Sequence, residues 1–491
     1  FQALVECYLP LLETLENASR AKDQAPKVTI GLSPTLLSLL EDQVLKNRFE
    51  NWVSIRLEVL NTLEKDCLKA VLNLKDHLKR QLQSWKNCQG NLIERFKKLE
   101  SSEAIDILTC AATHGYLPLL RENPETVRAQ LKTAVREHKR LFMNAPLGIW
   151  LPECAYYEGL DVLMAESGLR YAVLDGHGLL NADPRPRYGL YAPICTRSGV
   201  AFFGRDSEST LPVWSAKDGY PGNPNYREFH RDLGWDLSIE HLKKIGINEK
   251  RPLGIKLFRI SSKNTSLEHK QEYDPQAARE SVEKDAENYL EDRKKQLIKL
   301  EKSMKIEPLL IAPFDAELFG HWWFEGPQFL SQLFIKSKEK GIKLITLKEA
   351  LQLTPTIQLC NPSPSSWGQG GFHNYWLNKS NAWIVHEWSK AGREMVNICS
   401  KGLIEESNIK IIKQAGRELL LFQSSDWSFI LKAGTTTELA RERINLHLKR
   451  FWMLINAIKE NKTINDTNLR EIEKDDCIFP LISHIDWKKK I

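Results

Sequence analysis

Gly148-Ile-Trp-Leu-Pro-Glu153-Cys-Ala-Tyr-Tyr-Glu158-Gly and Ala312-Pro-Phe-Asp315-Ala-Glu-Leu-Phe-Gly-His321-Trp-Trp-Phe-Glu-Gly are the two stretches on which the reading of this chain turns. In each, a short apolar run of strand type is followed at once by a carboxylate, and aromatic residues crowd around it. Cleaving a glycosidic bond needs two carboxyl groups on opposite sides of the anomeric carbon, and Trp and Tyr faces stack on the apolar faces of sugar rings. Glu153 and Asp315 are therefore the candidate catalytic pair. Glu158, Glu317 and Glu325 stand close by in sequence, and spacing alone does not exclude them.

Working outward, apolar runs bounded by turn residues recur at 27–32, 105–110, 148–151, 171–175, 252–258, 308–314 and 342–347. Between them lie segments of helical period, for example 41–100 and 275–304. Strand, helix, strand in series predicts a parallel α/β architecture, with the site at the strand C-terminal ends. Three regions break the alternation. Residues 36–100 read as a long helical excursion with Lys and Glu on its outer face. Residues 177–240 are rich in Pro, Gly, Tyr and Arg and include Gly219-Tyr220-Pro-Gly222, the kind of long loop region that forms lids or binding segments. From about residue 366 the pattern turns helical.

Composition sets the class and little more. With 42% hydrophobic and 27% charged residues, the 491-residue chain has the make-up of a soluble protein of two or three domains. Its net charge of +6 is spread over helices of mixed sign, which gives no reason to expect a nucleic acid partner. Nine cysteines without Cys-x-x-Cys spacing argue for reduced thiols in the cytoplasm and against a zinc cluster. No stretch reaches the length of a membrane span, and no metal or other cofactor is expected. Eleven of the fourteen tryptophans lie from Trp214 onward, four of them between Trp367 and Trp388. Core packing is the ordinary role of each; the dense group beside Gly-rich turns is where sugar contacts are expected.

The two opening stretches, with Thr109-Cys-Ala-Ala-Thr-His114-Gly-Tyr-Leu-Pro118, Ser365-Ser-Trp367-Gly-Gln-Gly-Gly-Phe-His-Asn-Tyr-Trp376-Leu-Asn and Gln423-Ser-Ser-Asp426-Trp427, resemble glycoside hydrolase family 57, in particular its 1,4-alpha-glucan branching enzymes. The resemblance covers nearly the whole chain in the family's order. It implies an incomplete, seven-stranded (β/α) barrel over residues 1–365 and an all-helical C-terminal domain over 366–491 that contributes to the substrate site. It implies Glu153 as nucleophile, Asp315 as general acid/base, and Tyr220 on a mobile loop near the donor site. The family opens with a strand ending in His-x-His-x-Pro, and the first histidine here is His77. Phe1 to Leu12 resembles the helix that follows that strand. The expectation is a truncated start that leaves the barrel open, poorly soluble and inactive.

The chemistry expected is retaining glycosyl transfer. Asp315 protonates the glycosidic oxygen while Glu153 attacks C1, and Asp315 then deprotonates the acceptor. Water as acceptor gives hydrolysis; the 6-hydroxyl of another glucan chain gives an α-1,6 branch. His114 and His321 are candidates to bond sugar hydroxyls, Trp150, Trp235, Trp323, Trp367, Trp376 and Trp427 to stack, and Asp426 to contact substrate or cap a helix. The partner is an α-glucan such as amylose, glycogen or starch. Rival readings are an α-amylase or 4-α-glucanotransferase of the same family, or a catalytically dead glucan-binding homologue. A metal-dependent deacetylase is disfavoured, because no Asp/His/His ligand spacing is found.

Overall fold

Four of the expected apolar runs form strands, and three further strands join them. In the computed structural model, which describes residues 1–20, 25–63, 68–401, 404–460, 462 and 466–490, the strands are β1 (Val28–Gly31), β2 (Ile105–Cys110), β3 (Gly148–Trp150), β4 (Tyr171–Leu174), β5 (Ile194–Cys195), β6 (Ala201–Gly204) and β7 (Gln358–Leu359). Small parts of the expected helical stretches, at 64–67, 402–403, 461 and 463–465, lie outside the described residues, as does 491. The sheet order is β1-β2-β3-β4-β6-β5-β7. Neighbours from β2 to β4 and β4 to β6 run parallel, with Thr109 opposite Ile149, Ile149 opposite Ala172, and Ala172 opposite Phe202. β5 is antiparallel to β6 and parallel to β7. β2, β4 and β6 are buried at every residue, which is why they read as continuous apolar runs rather than alternating ones. Gly148 is required in β3 because a Cβ there would lie 2.3 Å from both the Leu108 and Tyr171 side chains.

The runs at 252–258, 308–314 and 342–347 do not form strands, a correction to the sequence reading. Pro252, Pro308 and Pro313 interrupt two of them and remove donors from any ladder. Their backbone groups are instead taken up one at a time, by Asp206 N to Ile311 O (2.8 Å), Lys27 N to Leu344 O (3.2 Å) and Leu233 N to Ile255 O (2.9 Å). The Asp232 carboxylate accepts from Leu253 N and Gly254 N, both at 2.8 Å. The three strands missed, β5, β6 and β7, are only two to four residues long. β5 and β6 lie inside the segment expected to be all loop. The α/β class, with its parallel sheet and helical C-terminal region, is as expected.

The chain packs into two units: Phe1–Val28 with Leu40–Asp106 and Asp206–Ala350, and Thr29–Leu39 with Ile107–Arg205 and Leu351–Ile491. In the first, helices Leu9–Ser19, Gln43–Asn61, Leu68–Asn87 and Leu92–Ser101 pack together, and Pro275–Glu301 packs on Gly326–Glu339. Pro275–Glu301 starts where Asp274 accepts from Gln276 N (2.9 Å) and Ala277 N (3.3 Å), with proline at the first helical position. Arg95 grips Glu16 with two bonds of 2.7 and 2.9 Å. The second unit holds almost all of the sheet. It also holds helices Ala382–Ser400, Glu406–Phe422, Ser425–Ala433 and Thr437–Lys459, whose apolar faces share one core with the sheet. Among the described residues no helix is long and apolar enough to cross a membrane, and the eight cysteines are free thiols.

Candidate active site

Glu153 belongs to the second unit and Asp315 to the first. Glu153 follows β3 through Leu151 and Pro152, in a tight turn closed by Cys154 N to Leu151 O (2.9 Å) and Ala155 N to Pro152 O (3.1 Å). The turn forces Glu153 (φ 62°) and Cys154 (φ 51°) into the left-handed region, and His114, just past β2, shares it (φ 55°). Such conformations in side-chain-bearing residues cost free energy and persist where the surroundings over-determine them. Trp367 supplies much of that determination. Its backbone N donates to Glu153 O (3.0 Å) and its indole Nε1 to Glu153 Oε2 (2.6 Å), so one residue pins both ends of the glutamate. His114 Nδ1 stands 4.0 Å from Glu153 Oε1 and 2.9 Å from Ser425 Oγ, while Ser425 N donates to His114 O (3.2 Å).

Burial pushes the Glu153 carboxyl above the usual carboxylate range; His114 and the Trp367 indole pull it down, and the Asp426 charge adds to the rise. Around it, the Trp150 ring meets Trp367 edge-on at 5.0 Å, and the Arg205 guanidinium lies 5.4 Å over Trp367. The expected residues His114, Trp150, Trp367 and Asp426 are thus gathered about Glu153. Three others are corrected. Trp376 is 2% exposed and stacks on Tyr116 at 4.4 Å, so it backs the site rather than offering a face to sugar. Trp427 turns its Nε1 inward to Leu421 O (2.9 Å) and packs on the core. Trp323, in the first unit, is equally buried among Tyr226, Phe319 and Phe329; its neighbour Trp322 is the exposed ring. Tyr116 was missed although it lies in the quoted His114 segment. Its hydroxyl bonds His373 Nδ1 at 3.0 Å.

In the first unit Asp315 opens a short helical turn, Ala316–Leu318, with Leu318 N donating to its carbonyl at 3.1 Å. The residues after it are held by the N-terminal turn Leu4–Tyr8. Cys7 Sγ donates to Ala316 O (3.0 Å), Tyr8 OH to Glu317 Oε1 (2.5 Å), and His321 Nδ1 bonds Glu6 Oε2 (3.1 Å). Gly320, at φ 116°, passes so near that a Cβ would lie 1.7 Å from Glu6 O. Glu6 is fully buried and paired with Arg227, which also lies 3.8 Å over Phe324. Burial pushes its carboxyl up, but Arg227, His321 and Lys256 outweigh that and leave it below the usual range. Lys256 is lowered to about 8 by burial and by Arg227. A lone charge in the apolar run Phe1–Leu12 was the legible sign of Glu6.

Tyr220 sits on a short turn, its ring half-buried against Phe329 (5.8 Å) and Tyr289 (6.3 Å), and burial pushes its hydroxyl up to about 12. Trp235 is 51% exposed on the turn Leu233–Asp236. Glu418, His447 and Asp476 lie close enough together to suggest a metal site. Glu418 already accepts from His447 Nδ1 (2.8 Å) and Gln414, and Asp476 from Arg450, so this is an ion-pair network with its acceptors engaged.

Residues 1–361 match Glycosyl hydrolase family 57, and residues 387–487 match "1,4-alpha-glucan branching enzyme, C-terminal". The 1,4-alpha-glucan branching enzyme TK1436 of Thermococcus kodakarensis is 30% identical over 512 residues, covering 96% of this chain and 72% of the relative. Among solved structures, the α-amylase AmyC of Thermotoga maritima superposes with a TM-score of 0.92 at 36% identity, over all of this chain and 94% of the other. The family 57 branching enzyme of Pyrococcus horikoshii does so at 0.89 and 28% identity, over all of this chain and 92% of the other. The chain belongs to glycosyl hydrolase family 57 and carries the C-terminal region of the branching enzymes.

Proposed function

We propose that the protein is a 1,4-alpha-glucan branching enzyme: it cuts α-1,4-glucan with retention and transfers the segment to the 6-hydroxyl of another chain. The observation that carries this reading is the partly buried Glu153 carboxylate, aimed from a left-handed turn at a strand end and held by the Trp367 indole. In the proposed cycle Asp315 donates a proton to the glycosidic oxygen as Glu153 attacks C1. Asp315 then takes the proton of the incoming 6-hydroxyl, which expels Glu153 from the glycosyl ester. Such a two-step route requires two carboxyls about 5 to 5.5 Å apart, with no room for water between them. His114, Trp150, Trp367 and Asp426 bind the glucan on the Glu153 side, His321, Trp235 and Tyr220 on the Asp315 side. Residues 1–365 act as the catalytic domain and 366–491 as a helical domain that completes the substrate site. Free cysteines fit a cytoplasmic setting.

Hydrolysis of the same bonds is the second reading, favoured by the likeness to an α-amylase at 36% identity. Incubation with amylose separates the two: new α-1,6 linkages counted against new reducing ends measure transfer against hydrolysis. Glu153→Gln is expected to lower turnover by about 10⁴-fold or more, since an amide cannot form the glycosyl ester. A mechanism-based fluorosugar should label Glu153; a label on Glu158 or Glu317 overturns the assignment.

A further inference from the structure

Tyr375 and Phe429 form a ring pair. Their centroids lie 4.7 Å apart with planes at 31°, and Phe429 is 45% exposed. Leaving a phenylalanine that far in water forgoes the free energy of burying it. The pair is also built. The fully buried Asn381 side chain donates from Nδ2 to Tyr375 O (3.0 Å) and to Ser428 O (3.1 Å), and its Oδ1 accepts from Asn378 N (2.8 Å). One buried amide thus ties the loop carrying Tyr375 to the helix Ser425–Ala433 carrying Phe429, and fixes the two rings in register.

The pair is continuous with the Glu153 site. Tyr375 precedes Trp376, whose ring stacks on Tyr116. The helix that carries Phe429 bonds His114 through Ser425 at 2.9 Å. Asp426, whose charge acts on Glu153, is three residues before Phe429 and so shares its helix face.

We propose that Tyr375 and Phe429 are an outlying glucan subsite, a platform on which the apolar face of a glucose unit stacks when an α-1,4-glucan extends beyond the Glu153 site. The proposal rests on the α-glucan reading above. An aromatic pair with no charge of its own, continuous with a carboxylate held for sugar chemistry, selects sugar over a charged ligand.

The test uses the full chain in the Glu153→Gln background, with binding of amylose and of maltotriose measured by affinity electrophoresis and calorimetry. Maltotriose fills only the positions near Glu153, whereas amylose also reaches the platform. Tyr375→Ala and Phe429→Ala should each narrow the amylose-to-maltotriose affinity ratio by about five- to tenfold, the size of one lost ring contact, and Phe429→Tyr should restore it. An unchanged ratio in the double alanine variant overturns the platform, as does Phe429→Tyr behaving like Phe429→Ala. If Glu153→Gln proves active, the catalytic reading falls while the affinity ratio still decides the platform. If the intact rings bind no amylose at all, both readings fall together.

Discussion

The Glu153 and Asp315 turns are held in place by different means. The Glu153 turn is held by its own backbone, with two successive left-handed residues, and by Trp367, which bonds the glutamate at carbonyl and carboxylate. The Asp315 turn is held from outside, by the N-terminal turn Leu4–Tyr8, through a thiol, a phenol and the buried Glu6. A backbone-held carboxylate with few partners has a tunable acidity, because each neighbour moves it separately. A turn clamped by a buried ion pair is rigid, and is lost as a whole if the clamp fails. The first turn should therefore answer substitution with changes of pH profile, the second with changes of stability.

The sharpest break in this contrast is Gly320→Ala. A methyl group 1.7 Å from the Glu6 carbonyl, at a φ of 116° that side chains rarely adopt, cannot be accommodated without parting the clamp. The expected loss is about 4 kcal/mol or more, a large share of a typical net stability of about 5 to 15. Urea denaturation measures it, and a loss below about 1 kcal/mol would show that the turn relaxes freely. Next comes Glu6→Gln, which leaves Arg227 buried without its counter-charge and should cost about 3 to 5 kcal/mol at neutral pH. Its sign with pH is fixed. The folded Glu6 carboxyl lies below its ordinary value, so its contribution is present above the unfolded value and is lost as pH falls through the folded one. The gap between parent and Glu6→Gln melting temperatures should shrink on acidification; a constant gap would place the stabilisation elsewhere.

How much of this was legible depended on where the signal lay. Glu153 and the strand before it could be read because β3 and its neighbours are buried on both faces and so appear as apolar runs. The runs before Asp315 and at 252–258 looked alike but are broken by Pro252, Pro308 and Pro313, and no periodicity argument outweighs the loss of those donors. β6, Ala201–Gly204, is as buried as β4, yet its four residues were submerged in Pro- and Gly-rich surroundings. Among the aromatics, identity was visible and direction was not. Trp322 is exposed and Trp323 buried, Tyr375 partly buried and Trp376 fully so, because in turns neither the helical nor the strand period governs which way a ring points. Glu6 gave only the faint signal of a charge among apolar residues, and Asn381, the last residue of the polar run Asn378-Lys-Ser-Asn381, gave none.

Two smaller effects test the claim that Glu153 is tunable, and they have opposite signs. Trp367→Phe keeps a ring and removes the 2.6 Å bond that favours the ionised carboxylate, so the Glu153 pKa should rise. The acid limb of kcat/KM, which reports the free enzyme, should move to higher pH. Asp426→Asn removes a negative charge that raises the same pKa, so the acid limb should move to lower pH, and by less than the Trp367 shift. Asp426 is exposed, and its influence crosses solvent. The Asp426 shift should therefore shrink markedly between roughly 0.01 and 1 M salt, where the screening length falls from about 30 to 3 Å, while the Trp367 shift, carried by a direct bond, should persist. Equal salt dependence of the two would mean that Trp367 acts by the field around the site rather than by its bond, and a common direction of shift would mean that Glu153 is not the group whose ionisation the acid limb follows.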